Sequence, residues 1–104
     1  MDRVIELIRL TVNELLQYRM VTFEQYANEM VNVMFDVFPQ IIAVYADDRL
    51  SDISGDASYW PSQLERIIKV LEGGDDFAAV DVLYSETLPN LIELRDILTE
   101  RGII

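Results

Sequence analysis

Apolar residues recur at helical spacing along nearly the whole chain, in four segments. The first segment runs from about Asp2 to Tyr18, and its polar residues lie opposite a single apolar stripe. The second starts at Thr22, where Thr22 and Gln25 match a capping box, and it continues towards Ala46. Both patterns predict amphipathic helices.

Two further helices are predicted beyond the longest loop, which covers residues 47–58. The third begins near Tyr59–Ser62 and stops at the glycine pair at positions 73 and 74. The fourth begins with Asp75 or Asp76 as its N-cap and ends at Gly102. Short connections on either side of one longer loop favour an up-down-up-down order.

Two prolines stand inside the predicted helices: Pro39 in the second and Pro89 in the fourth. A proline within a helix removes one hydrogen-bond donor and crowds the carbonyl four residues earlier, so we expect a kink or a break at each. The length of the chain fits a single domain over residues 1–104. The predicted fold is all-α, an antiparallel four-helix bundle with proline kinks in helices 2 and 4.

The second helix is apolar over a wide arc, roughly 200° at ~100° per residue, so it must contact more than one neighbour. It is either central to the bundle or part of an oligomer interface. Two aromatic residues at the start of the third helix lie beside the long loop and could anchor a partner. Core packing is the more common use of such methionines and aromatic residues. The candidate interface residues are Met30, Val31, Met34, Phe35, Phe38, Ile42, Tyr59 and Trp60.

Asp81 is predicted to be a buried carboxylate, because it falls among Phe77, Tyr84 and Leu88 on the expected inner face of the fourth helix. A carboxylate in such a place needs a partner or a raised pKa. A hydrogen bond to a tyrosine, an arginine or a helix terminus is the favoured interpretation. The functional alternative is a polar anchor at the floor of a groove.

The composition removes several kinds of chemistry. The chain has no histidine and no cysteine, and its nineteen acidic and eight basic residues give a formal net charge of −11. Disulfides, thiolate zinc sites, Glu-x-x-His di-iron sites and histidine- or cysteine-based nucleophiles are excluded. The charge disfavours nucleic acid and anionic membranes as partners. It could steer a basic protein partner or serve solubility alone, whereas a helical partner would suit the apolar helix face.

Carboxylates are the only groups left that could hold a metal ion. Asp52, Ser54 and Asp56 alternate as at the start of an EF-hand loop, but Gln63 stands where the bidentate glutamate is needed. A solvated acidic loop is therefore the favoured interpretation, with a weak divalent site as the alternative.

Glu93 and Asp96 have the Glu-x-x-Asp spacing with which small all-α nucleotide pyrophosphohydrolases hold magnesium. The Glu-x-x-Glu pair that should precede it is missing, so a polar helix face explains these two residues better. We expect no cofactor.

The stretch from Gly74 to Pro89, GDDFAAVDVLYSETLP, resembles a segment of small, acidic, uncharacterised bacterial helical proteins. In those proteins an acidic turn leads into a helix that carries Asp, aromatic-Glu and Pro positions. The resemblance covers only about the last third of the chain. It implies an all-α fold and a bacterial origin, and it supplies no activity.

The sequence therefore predicts a non-catalytic protein-binding or adaptor module that presents an apolar helix face within an acidic surface, alone or as a homodimer. No signal peptide is visible at the N-terminus, and the lack of cysteine suits the cytoplasm. One alternative is a magnesium-dependent all-α hydrolase that uses carboxylate clusters. Another is a structural subunit of a larger assembly.

Overall fold

The computed structural model describes residues 1–50 and 57–104, and the prediction of an all-α fold is confirmed. The last three helical elements follow one another without leaving helical backbone angles. The elements are α1 (Asp2–Leu16), α2 (Met20–Val44), a 3₁₀ turn (Asp48–Leu50), α3 (Tyr59–Gly73), α4 (Asp76–Val80), a π-helical segment (Asp81–Thr87) and α5 (Leu88–Glu100).

Helices α1 and α2 form a hairpin joined by a three-residue turn. Near the turn, the carboxylate of Glu14 on α1 accepts a hydrogen bond from the Thr22 hydroxyl on α2, at 2.8 Å. Farther from the turn, Arg3 forms an ion pair with Glu29. Lower-numbered residues of α1 thus contact higher-numbered residues of α2, so the two helices run antiparallel.

The α4, π-helical and α5 elements form one continuous stretch over residues 76–100, called here the last helical run. Its hydrogen bonds with α3 also join lower-numbered residues of one element to higher-numbered residues of the other. Gln63 donates a hydrogen bond to Thr87 at 2.8 Å, and Asn90 donates one to the Tyr59 hydroxyl at 2.6 Å. This pair of elements is therefore antiparallel too. The molecule measures 44 × 21 × 21 Å along its principal axes, as expected for helices aligned along one direction.

The turn between α1 and α2 is tight because it closes as a Schellman motif. The Arg19 N–H donates to the Glu14 carbonyl at 3.0 Å, and the Tyr18 N–H donates to the Leu15 carbonyl at 3.1 Å. Tyr18 sits in the left-handed region, with φ 56°, where glycine is the usual residue. The end of α5 has the same hydrogen-bond pattern, with Gly102 at φ 71°.

The predicted start of the second helix is corrected by this turn. Helix α2 begins at Met20, two residues before Thr22. The Thr22 hydroxyl therefore does not cap the helix, and it bonds the Glu14 carboxylate, which also accepts from Arg19 at 3.3 Å. Glu14 thus ties the end of α1 to two side chains at the start of α2, and no side chain caps α2 within the described residues.

Pro39 does not break α2, which continues from Met20 to Val44. The expected break at this residue is therefore wrong, whereas a kink stays a prediction. Phe38 and Ile41, on either side of the proline, are both buried in the core. Packing on both sides of Pro39 holds the helix together although one backbone hydrogen bond is lost.

At the second proline, Pro89, the chain responds with the π-helical segment. The Leu88 N–H donates to the Leu83 carbonyl, five residues earlier. This widening accommodates the proline ring, which would crowd the carbonyl of Ser85 in a regular helix. The Thr87 hydroxyl donates to the Val82 carbonyl at 2.7 Å and so satisfies another backbone acceptor of the widened turn.

The prediction that Asp81 is buried is wrong, because the inner face of the last helical run differs from the predicted stripe. Asp81 is exposed, as are Phe77 (91%) and Tyr84 (55%). Ala79 and Val82 face inward in their place, each at most 3% exposed. The π-helical segment changes the angular phase of the helix, which a regular period of 3.6 residues does not anticipate.

One hydrophobic cluster draws side chains from α1, α2, α3 and the last helical run. Its largest fully buried members are Trp60, Phe38, Ile5, Leu7, Ile8, Met30, Met34, Ile67, Leu83, Leu91 and Leu98. This cluster leaves part of the apolar surface of α2 uncovered.

A candidate binding groove between α2 and α3

A groove of about 760 Å³ lies between the first two thirds of α2 and the second half of α3. Its apolar residues on α2 are spaced four apart, which places them in one row along the helix. The groove is lined by Phe23, Ala27, Val31 and Phe35 from α2 and by Ile68 and Leu71 from α3, together with Glu24, Asn28, Asn32 and Glu72.

The apolar lining is only partly covered by the chain itself. Phe35 is 57% exposed, and Val31, Ile68 and Leu71 are half-buried. Ala27, by contrast, is buried at the floor. Partly exposed apolar side chains around a concave surface are typical of a binding site, whereas single exposed ones are ordinary.

A polar row runs beside the apolar one on α2. Glu24, Asn28 and Asn32 are spaced four apart and all exposed, and Glu72 adds a carboxylate from α3. Neither Glu24 nor Glu72 forms an ion pair with any residue in the described part of the chain. The groove therefore combines an apolar floor with acidic groups that the chain itself does not neutralise.

Four of the eight predicted interface residues lie in the core instead. Met30, Met34, Phe38 and Trp60 are each at most 2% exposed. The wide apolar arc of α2 is covered by α1 on one side and by other core residues elsewhere, so these side chains cannot reach a partner from the folded chain. Their assignment to an interface is thereby corrected.

The other four predicted interface residues divide into two groups. Val31 and Phe35 line the groove, as the prediction of an apolar face on α2 requires. Ile42 and Tyr59 are half-buried and lie outside it. The structure thus brings together only two of the eight predicted residues at a candidate site.

Tyr59 and Trp60 join helices and do not form an exposed anchor. The Trp60 indole donates to the Tyr45 hydroxyl at 3.0 Å, and its ring meets Phe38 edge-on with centroids 5.4 Å apart. Burial raises the pKa of the Tyr59 phenol, and the hydrogen bond from Asn90 opposes that rise. These contacts fix the start of α3 against the end of α2.

Sequence reasoning missed most of the groove. The spacing of Phe23, Ala27, Val31 and Phe35 was visible in the sequence, and Ala27, Val31 and Phe35 were already part of the wide apolar arc. Which part of that arc stays open depends on where α3 packs, and no local pattern specifies that. Ile68 and Leu71 join the site only through this packing.

The acidic residues are the remaining candidates for holding a metal ion. Among residues 1–50 and 57–104, no three acidic side chains converge in a way that could hold a metal ion. Glu93 and Asp96 are exposed, and Arg95 pairs with Asp96 at 3.3 Å. The EF-hand-like residues Asp52, Ser54 and Asp56 lie outside the described residues.

None of the helices in the described ranges is long and apolar enough to cross a membrane. Comparison of the chain with protein-family models, with curated proteins and with solved structures finds no match.

Proposed function

We propose that this protein is a non-catalytic binding module that receives an apolar segment of a partner protein in the α2–α3 groove. The observation that carries this proposal is the row from Phe23 to Phe35, which the chain covers only in part. Docking of an amphipathic segment would remove this apolar area from water, and each fully buried large side chain contributes about 1.5–3 kcal/mol.

The geometry of the groove suits a helix as the bound element. The row runs from Phe23 to Phe35, and its twelve helical steps of about 1.5 Å make it roughly 18 Å long, about three helical turns. A third helix can pack into the groove between two neighbouring helices.

As part of the same proposal we place the module in the cytoplasm, because a chain without cysteine suits a reducing compartment.

A capture experiment with three baits tests the proposal. Wild-type protein, the groove variant Val31→Ser with Phe35→Ser, and the control variant Phe77→Ser are immobilised and exposed to a lysate of the native host. Phe77 is 91% exposed and lies outside the groove, so it matches Phe35 in chemistry but not in place. Circular dichroism first establishes that all three baits are folded.

We expect a protein that binds the wild type and the Phe77→Ser control but is lost from the groove variant. The purified candidate should then bind purified wild-type protein directly. A set of captured proteins that the groove variant retains in full would contradict the proposal.

A further inference from the structure

Both walls of the groove carry an unpaired acid at the same end. Glu24 stands on the first turns of α2 and Glu72 on the last turn of α3, whereas Phe35 lies at the opposite end of the apolar row. The turn that precedes α2 and the turn that follows α3 therefore lie at the acidic end. The groove is asymmetric, because the apolar row runs along its whole length whereas its two carboxylates stand at one end.

Glu24 and Glu72 are two of the nine acidic residues in the described part of the chain that form no ion pair. Eight acidic residues form ion pairs within the described part of the chain, among them Glu29 with Arg3 and Glu65 with Lys69. The lining of the groove contains no lysine or arginine. A cation supplied by a partner would meet both carboxylates without displacing any internal pair.

We infer that the occupant of the groove is an amphipathic helix with a cluster of lysine or arginine residues at one end, bound in a single direction. Its apolar side chains cover the row towards Phe35, and its basic end lies between Glu24 and Glu72. The inference deepens the function proposed above and rests on the groove being the binding site. Complementary charge at one end fixes both the partner and its orientation.

Charge also argues against a second copy of this chain as the occupant. Each copy carries a formal net charge of −11, so association would bring two strongly acidic surfaces together. Only eight basic residues are present, and six of them already form ion pairs within the described residues. A separate, cationic partner meets no such repulsion.

The test uses three synthetic helical peptides of about 16 residues, long enough to cover the row of roughly 18 Å. All carry leucines at positions i, i+4 and i+8, and they differ only at one end, which has two lysines, two glutamines or two glutamates. Affinity for the full chain is measured by fluorescence anisotropy. The variants are Glu24→Gln with Glu72→Gln, and, as a control of equal charge change, Glu93→Gln with Glu100→Gln.

We expect the lysine peptide to bind roughly fivefold more tightly than the glutamine peptide, the scale of two exposed ion pairs. The advantage should vanish in the Glu24→Gln, Glu72→Gln variant, persist in the control, and shrink as salt is raised to about 0.5 M. A nitroxide on the lysine-bearing end should broaden the amide resonances of Glu24 and Glu72 more than that of Phe35.

The outcomes separate this inference from the proposed function. Equal binding of the lysine and glutamine peptides, or broadening centred on Phe35, overturns the inference and leaves the groove as a binding site. Failure of all three peptides to bind contradicts the groove itself. A dimer in sedimentation velocity that Phe35→Ser dissociates would make a second copy the occupant and would also overturn the inference.

Discussion

Thr11 and Thr87 are both fully buried threonines, but only one of them has hydrogen-bond partners. The Thr87 hydroxyl accepts from Gln63 and donates to the Val82 carbonyl. The Thr11 hydroxyl has no partner in the described part of the chain. A buried hydroxyl without a partner costs about 1–3 kcal/mol, whereas a bonded one stabilises the fold.

Replacing each threonine by valine should therefore change stability in opposite directions. Thr11→Val removes the unbonded hydroxyl and should raise the free energy of unfolding by about 1 kcal/mol. Thr87→Val leaves the Gln63 amide without its acceptor and should lower it by about 1–3 kcal/mol. Urea denaturation of both variants measures the difference, and a loss of stability in Thr11→Val would show that its hydroxyl is bonded.

Among the carboxyls of the described residues, Asp47 has a pKa that departs clearly from its ordinary value. Hydrogen bonds from the side chain and backbone of Arg49 lower the pKa of Asp47 from 3.8 to about 2. Because the folded pKa is depressed, the contribution of this group to stability is present above its unfolded pKa. It is lost as the pH falls through about 2.

A carboxyl-detected NMR titration should find the pKa of Asp47 near 2 in the wild type. Arg49→Ala should return it towards its ordinary value, because the lowering comes from that residue. Glu93→Gln serves as a control that leaves the Asp47 titration unchanged. A normal pKa of Asp47 in the wild type would mean that the contact with Arg49 does not persist in solution.

At the scale of the helix, α1 and α5 end in the same Schellman motif but with different residues in the left-handed position. Tyr18 occupies it after α1 and Gly102 after α5. A side chain in this conformation costs roughly 1–2 kcal/mol. Among the described residues, no heavy atom lies within 4 Å of where a Cβ of Gly102 would stand, so a substitution there is expected to act through the backbone preference.

Tyr18→Gly should accordingly raise the free energy of unfolding, and Gly102→Ala should lower it, each by about 1 kcal/mol. A general effect of glycine on the unfolded chain would give the reverse sign in each variant, so the signs distinguish it from the backbone effect. Thermal unfolding of both variants checks the prediction. Destabilisation by Tyr18→Gly would show that the 80%-exposed tyrosine ring makes a stabilising contact.

Local patterns predicted the helices well where local chemistry decides the structure. Asp75 caps α4 and accepts from the Ala78 N–H at 3.0 Å, and Gly74 ends α3 with φ 70°, as their residue types indicate. The prediction that Asp81 is buried failed because the π-helical segment shifts the angular phase of the helix. That shift depends on Pro89 and on the distant contact between Gln63 and Thr87.

At the scale of the whole molecule, the antiparallel helices leave an elongated apolar groove open between α2 and α3. The sequence predicted an apolar face on the second helix, and Val31 and Phe35 do lie on it. It did not indicate that Met30 and Met34 would be buried while Val31 and Phe35 stay accessible, because all four residues belong to one wide apolar arc. The position of α3 divides that arc into core and groove.

The measurement that tests the groove most directly is a ¹H–¹⁵N correlation spectrum of the full chain, titrated with the lysine-bearing peptide. We predict that the amide shifts concentrate at the residues from Phe23 to Phe35 and from Ile68 to Glu72. The amides of Phe77 and Tyr84, which are exposed aromatic residues outside the groove, should hardly move. Shifts centred on Phe77 and Tyr84, with the groove unchanged, would contradict the account.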